Sequence, residues 1–135
     1  MSTPDSQDAV ITASKLRTVV ESDCVARGGY HVLSTPNVIQ LIEETAVDAL
    51  HQVVETGQSS VGSRLEIVHS KPTLLDQEIT ATVSVREIDR RRYVFDVEVR
   101  DDVELIAQGT HERFVIDEDV FGRKLLAKQH VTATR

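Results

Sequence analysis

One stretch of helical periodicity stands in a chain that otherwise alternates with a period of two, and this contrast restricts the fold more than any other feature. From Ser34 to Leu50 apolar residues recur three and four apart, the pattern of an amphipathic helix. Pro36 suits the first helical position, and Ser34 or Thr35 can cap the free N–H groups before it. The spacing predicts a helix from about Pro36 to Glu55, ended by Gly57-Gln58-Ser59-Ser60.

Most other segments read as strands. Gly62 to Ser70 sets Leu65, Ile67 and His69 on one face, and Glu78 to Ile88 points Ile79, Ala81, Val83 and Val85 inward. Tyr93, Phe95, Val97 and Val99 alternate with Val94, Asp96, Glu98 and Arg100. Asp89-Arg90-Arg91-Arg92 and Asp101-Asp102 mark hairpins, with a strand from Glu104 to Ile116 whose phase change near Gly109 predicts a bulge. Ile11 to Ala26 reads as one extended strand, before the turn Arg27-Gly28-Gly29-Tyr30. A short helix is expected over Glu118 to Gln129, with flexible tails at 1–10 and 130–135. One long helix with four or more antiparallel strands is α+β, a sheet able to wrap the helix, and the sheet edge left over favours a homodimer.

At 135 residues the chain is one domain with enough apolar residues for a core. The net charge of −7 removes support for general nucleic-acid binding, though a small polyanion can still meet local cations. Cys24 is alone, so a disulfide framework is not expected. The first residues lack the apolar core of a secretion signal, and no run approaches a membrane span, which together read as cytoplasmic with no membrane partner.

Helical phase sets Glu44 with Asn37, Gln40 and Asp48 on the wet face, whereas Glu43 falls with Ile39, Ala46, Val47 and Leu50. Burying a carboxylate costs several kcal/mol unless it is paired, hydrogen-bonded or neutralised, which makes Glu43 a neutral core acid, a buried-pair partner or a functional group. His69, facing the helix by strand parity, is either a core histidine or an acid–base partner for Glu43. Thr35 reads as a cap, a catalytic hydroxyl or both, and Gly62 as a strand-entry glycine or a close approach to substrate. The five histidines lack metal-ligand spacing, and no phosphate-cradling glycine loop or nucleophile elbow occurs. Arg64, Lys71 and Arg113 could meet phosphates, although solvated surface is the default for each.

Ser34-Thr35-Pro36 with Leu41-Ile42-Glu43, then Ser60-Val61-Gly62, Ile67-Val68-His69 and Gly109-Thr110-His111-Glu112-Arg113, in that order, resemble the hotdog-fold thioesterases of the fluoroacetyl-CoA thioesterase type, over about residues 14–122. The resemblance implies a hotdog fold, a dimer or dimer of dimers with sites at the subunit interface, and hydrolysis of an acyl-CoA thioester without a cofactor beyond the CoA of the substrate. It implies a catalytic set of Thr35, Glu43 and His69, with Gly62 near the thioester carbonyl and Arg113 near CoA. The family's aromatic-rich lid corresponds to Ala26-Arg27-Gly28-Gly29-Tyr30-His31, whose one large aromatic is Tyr30, so fluoroacetyl selectivity is not expected to carry over. A non-catalytic acyl-CoA-binding module is the competing reading. A hotdog hydratase, resting on Asp23 and His31, ranks third.

Overall fold

The computed structural model describes residues 11–133. It contains seven strands, β1 (Thr12–Thr18), β2 (Cys24–Arg27), β3 (Tyr30–Leu33), β4 (Gln58–His69), β5 (Glu78–Asp89), β6 (Arg92–Asp101) and β7 (Leu105–Asp117). The helices are α1 (Thr35–Leu50) and α2 (Glu118–Ala133). The five longer strands form one antiparallel sheet in the order β1-β5-β6-β7-β4, with α1 laid against it, and β2 and β3 make a separate hairpin. This is the α+β hotdog arrangement.

The core lies between helix and sheet. Val38, Leu41, Ile42, Ala46, Ala49 and Leu50 of α1 meet Ile79, Ala81 and Val83 of β5, Phe95, Val97 and Val99 of β6, and Ile106 and Ala107 of β7. The expected inward residues of β5 and β6 therefore do line the core, and both hairpins form where Arg90 and Asp101–Asp102 turn the chain. The arginine-rich tip is tied down by ion pairs, Arg90 to Asp89, Arg91 to Asp117 and Arg92 to Glu87 and Glu112.

Several expectations are corrected. The segment expected as one strand from Ile11 to Ala26 is two, separated by a 3-10 turn at Glu21–Asp23. Asp23 stops the strand: its buried carboxylate takes Arg17 at 2.6 Å and the Val20 N–H at 3.0 Å. That role also removes Asp23 from hydratase chemistry. The long helix ends at Leu50, five residues early, and Gly57, at φ 86°, starts β4. The second helix runs further than expected, to Ala133, with no buried residue. The tail expected at 1–10 lies outside the described residues.

The bulge expected at Gly109 is elsewhere. Pairing of β4 with β7 runs through Ile67↔Gly109 without a break and shifts instead between Gly62 and Arg64. Gly109 is required for space, since a Cβ there would lie 1.9 Å from the Glu66 carbonyl oxygen. The apparent phase change arises because β7 keeps one phase and turns two polar side chains, His111 and Arg113, inward.

Candidate active site

Two polar clusters flank α1, one near each end of its contact with β4. At the helix start, Thr35 Oγ1 lies 2.8 Å from His69 Nδ1, on the last residue of β4. The Ser34 side chain does not cap the helix; its hydroxyl accepts from Asn37 Nδ2 at 2.8 Å. The Thr35 hydroxyl is turned to the imidazole and makes no capping hydrogen bond. Burial pushes the His69 pKa down, partly offset by the Lys71 main chain, so the ring is neutral near physiological pH. Nε2 of the same ring is buried and meets no atom at hydrogen-bonding geometry among the described residues.

The second cluster surrounds Glu43. It is not a core residue: with its helix-face neighbours Ile39 and Val47 it is half-buried, and its side chain is 47% exposed. That face runs beside the edge strand β4 and not over the middle of the sheet, which is why the apolar stripe did not bury it. Nor does Glu43 touch His69 within this chain. Its partner is Arg113, with Nη1 3.4 Å from Oε2. Thr35 and Glu43 are eight residues apart on one helix, about 12 Å along its axis, so the expected triad is split into two halves.

Arg113 is not the solvated surface cation that composition suggests. Its side chain is 7% exposed, with Nε donating to Ser60 Oγ at 3.0 Å and Nη2 to the Ser60 carbonyl at 3.2 Å. Nη1 also lies 3.2 Å from His111 Nε2, and His111 Nδ1 lies 2.9 Å from the Arg64 carbonyl oxygen. Desolvation lowers the pKa of both Arg113 and His111, the latter pressed further down by the Arg113 charge. Sequence reading missed His111; the signal was its parity with Arg113 on β7, two polar residues in phase with Ala107 and Val115.

Gly62 completes the cluster. A Cβ on it would lie 2.6 Å from Glu43 Oε2 and 3.1 Å from Arg113 Nη1, too close for either to keep its place. The packing of Glu43 against Arg113 leaves no room for a side chain at this position. No group of three or more potential metal ligands occurs among the described residues, and none of their helices is long and apolar enough to cross a membrane.

Comparison with known proteins identifies the family and the fold. The fluoroacetyl-CoA thioesterase of Streptantibioticus cattleyicolor is 32% identical over 97 residues, covering 72% of this chain and 70% of the relative. A solved structure of the fluoroacetyl-CoA thioesterase FlK superposes with a TM-score of 0.80 at 26% identity, covering 87% of this chain and 93% of that one. A thioesterase superfamily member from Thermus thermophilus shares the fold alone, with a TM-score of 0.85 at 17% identity over 92% of this chain and 94% of that one. Residues 6–119 match the family described as FlK, fluoroacetyl-CoA-specific thioesterase, and the chain belongs to that family of thioester hydrolases.

Proposed function

We propose that the chain hydrolyses the thioester of a small or medium acyl-CoA, as a homodimer in which each site joins Thr35 and His69 of one copy to Glu43 of the other. The observation that carries this reading is the Glu43 carboxylate, pinned through Oε2 by a buried arginine while Oε1 has no hydrogen-bond partner among the described residues. A carboxylate held at one oxygen and open at the other is suited to attack a carbonyl carbon or to take a proton from water.

The split supports assembly of a second copy. The edge strand β4 has β7 on one side and no strand on the other among the described residues, and the half-buried Ile39 and Val47 border it. Such an edge is unfavourable to leave open, and a two-fold that pairs it with its copy runs the two α1 helices side by side in opposite directions. Glu43 of one copy then approaches Thr35 and His69 of the other, across the roughly 12 Å that separates them in one chain.

In this arrangement the neutral His69 accepts or relays the proton of the attacking water through Nε2, the buried ring atom that Thr35 does not hold. Thr35 fixes the ring, and its own main-chain N–H, at the start of α1 ahead of the Asn37 and Val38 N–H groups that donate to the Ser34 carbonyl, stabilises the developing oxyanion. The thiolate of CoA leaves and takes up a proton. No cofactor is needed beyond the CoA of the substrate, and the cytoplasm, where acyl-CoA and the free thiol of Cys24 are both stable, is the fitting compartment. The β2–β3 hairpin, which occupies the place of the aromatic lid with Tyr30 exposed, supports an acyl group other than fluoroacetyl.

The test is thiol release from acetyl-, fluoroacetyl-, isobutyryl-, benzoyl- and octanoyl-CoA. Release is expected from one or more of them, with turnover falling at least about tenfold in Glu43→Gln and in His69→Ala while the dimer persists in size-exclusion chromatography. Stoichiometric binding without thiol release from any ester replaces the enzyme by an acyl-CoA-binding module.

A further inference from the structure

His111 is fully buried, its two ring nitrogens are both engaged, and neither its sequence context nor the proposed reaction gives it work. Its surroundings fix its protonation state. The Arg64 carbonyl can only accept, so Nδ1, 2.9 Å away, carries the proton. Nε2 then holds a lone pair, and Arg113 Nη1 donates to it at 3.2 Å. That same Nη1 is the arm that reaches Glu43.

The guanidinium is a rigid planar fork. Ser60 holds Nε and Nη2 through its hydroxyl and carbonyl, and His111 holds Nη1. With all three nitrogens seated, the plane of the fork has one setting, and Nη1 presents its second hydrogen to Glu43 Oε2. Remove the acceptor at His111 and Nη1 loses the contact that fixes its tilt. Protonate His111 and two donors confront each other across 3.2 Å, beside a like charge. The charged groups near the ring are Arg113, Glu43 and Glu112, and across the sheet it faces Phe95 and Leu65. Gly62, exposed and lacking a Cβ, leaves Glu43 Oε2, Arg113 Nη1 and His111 Cε1 converging on the same small space.

We infer that His111, as a neutral Nδ1–H imidazole, is a positioning residue that aims the Glu43 carboxylate through Arg113. This rests on the reading of Glu43 as the reacting carboxylate.

Two measurements test it. Long-range proton–nitrogen spectra of protein labelled with 15N-histidine, at about pH 7, are expected to show His111 as the Nδ1–H tautomer, assigned by its absence in His111→Gln. An Nε2–H tautomer or an imidazolium overturns the inference outright. Thiol release is then compared using whichever of the five esters the wild type turns over fastest. His111→Leu, which fills much of the space without an acceptor, is expected to lower kcat at least about tenfold with KM changed less than about threefold. His111→Gln, whose amide oxygen can accept from Nη1, is expected to recover kcat to within about threefold of wild type. A folded His111→Leu with wild-type kcat overturns the inference, as does a folded His111→Gln no better than His111→Leu. Should His111→Leu not fold, a tenfold loss of kcat in folded His111→Gln overturns it, and wild-type-like kcat with the Nδ1–H tautomer supports it. If the wild type releases no thiol from any of the five esters, the thioesterase reading fails and takes the inference with it; a working wild type beside an indifferent His111→Leu removes the inference alone.

Discussion

The two ends of the α1–β4 contact hold polar groups on opposite terms. At the Thr35–His69 end there is one side-chain hydrogen bond, on an exposed threonine, and a buried ring nitrogen with no hydrogen-bond partner among the described residues. At the Glu43 end Arg113 is almost fully satisfied by Ser60, His111 and Glu43, and both Arg113 and His111 are buried. The first end leaves a buried polar atom unpaired and the second ties each of its buried groups to several partners. Catalytic sites need both, because a group that moves a proton must be unsatisfied in the resting state, whereas a group that aims another must not be.

Arg113→Met should break the second end most severely. It leaves His111 Nε2 and the Ser60 hydroxyl without their partner in a buried site, at a cost of about 2–4 kcal/mol. The ion pair with Glu43 contributes little to that figure, since the carboxylate is half exposed and such pairs are worth about 1 kcal/mol or less. Urea unfolding measures the loss, and thiol release is expected to fall by roughly a hundredfold or more as Glu43 loses its anchor. A variant as stable as wild type would show that the network is not the more firmly tied end.

Gly62→Ala separates position from stability. The added methyl would sit 2.6 Å from Glu43 Oε2, and the carboxylate, at the end of a flexible side chain on the half-exposed helix face, can swing aside. A stability change within about 1 kcal/mol is expected, with kcat down roughly tenfold or more. Unchanged kcat would mean that the present place of Glu43 is not the one used.

Acid should discriminate the ends from the rest of the fold. Both His69 and His111 have folded pKa values below the ordinary 6.5, through burial first and, for His111, the neighbouring Arg113. Below that pH the unfolded chain binds protons that the folded chain refuses, so stability rises with pH there and is lost as pH falls from about 6.5 through the folded values. Asp23, held low by its bond from Arg17, acts in the same direction only further down, below its ordinary 3.8. Urea midpoints taken between about pH 7 and pH 5 should therefore decline, and His111→Gln should decline less. A flat profile over that window would mean that both rings titrate as if exposed.

The Thr35–His69 end is legible in the sequence, and the Glu43–Arg113 end is not. Thr35 and His69 declare themselves by local rules, a residue at a helix start and a polar residue in phase with Leu65 and Ile67, and these rules need no knowledge of tertiary contacts. Strand periodicity likewise reached the cores of β5 and β6 correctly. It failed on β7, where His111 and Arg113 occupy inward positions and their polarity imitates a change of phase. It also failed on Glu43, because helical phase tells which side of a helix a residue is on and not which part of the sheet that side meets. The pairing of Glu43 with Arg113 joins residues 70 apart in sequence, and no local pattern encodes it. The lengths of α1 and β4 were misjudged for a similar reason: the turn at 51–57 has no proline, and Gly57 acts by its positive φ at the strand entry.

Thr35 gives the mildest and most specific probe of the first end. Its hydroxyl makes one hydrogen bond, to His69 Nδ1, on the exposed side of the helix start, so Thr35→Ala should cost less than about 1 kcal/mol in urea unfolding. What it removes is the group that sets the ring angle and with it the direction of Nε2. A kcat reduced roughly tenfold is expected for Thr35→Ala, and Thr35→Ser, which keeps the hydroxyl and loses a methyl, should stay within about threefold of wild type. If serine fails as badly as alanine, the methyl matters and Thr35 acts by packing against the acyl group, not by holding His69. If both variants match wild type, the Thr35 hydroxyl does not orient His69, and the packing around the buried ring holds it instead.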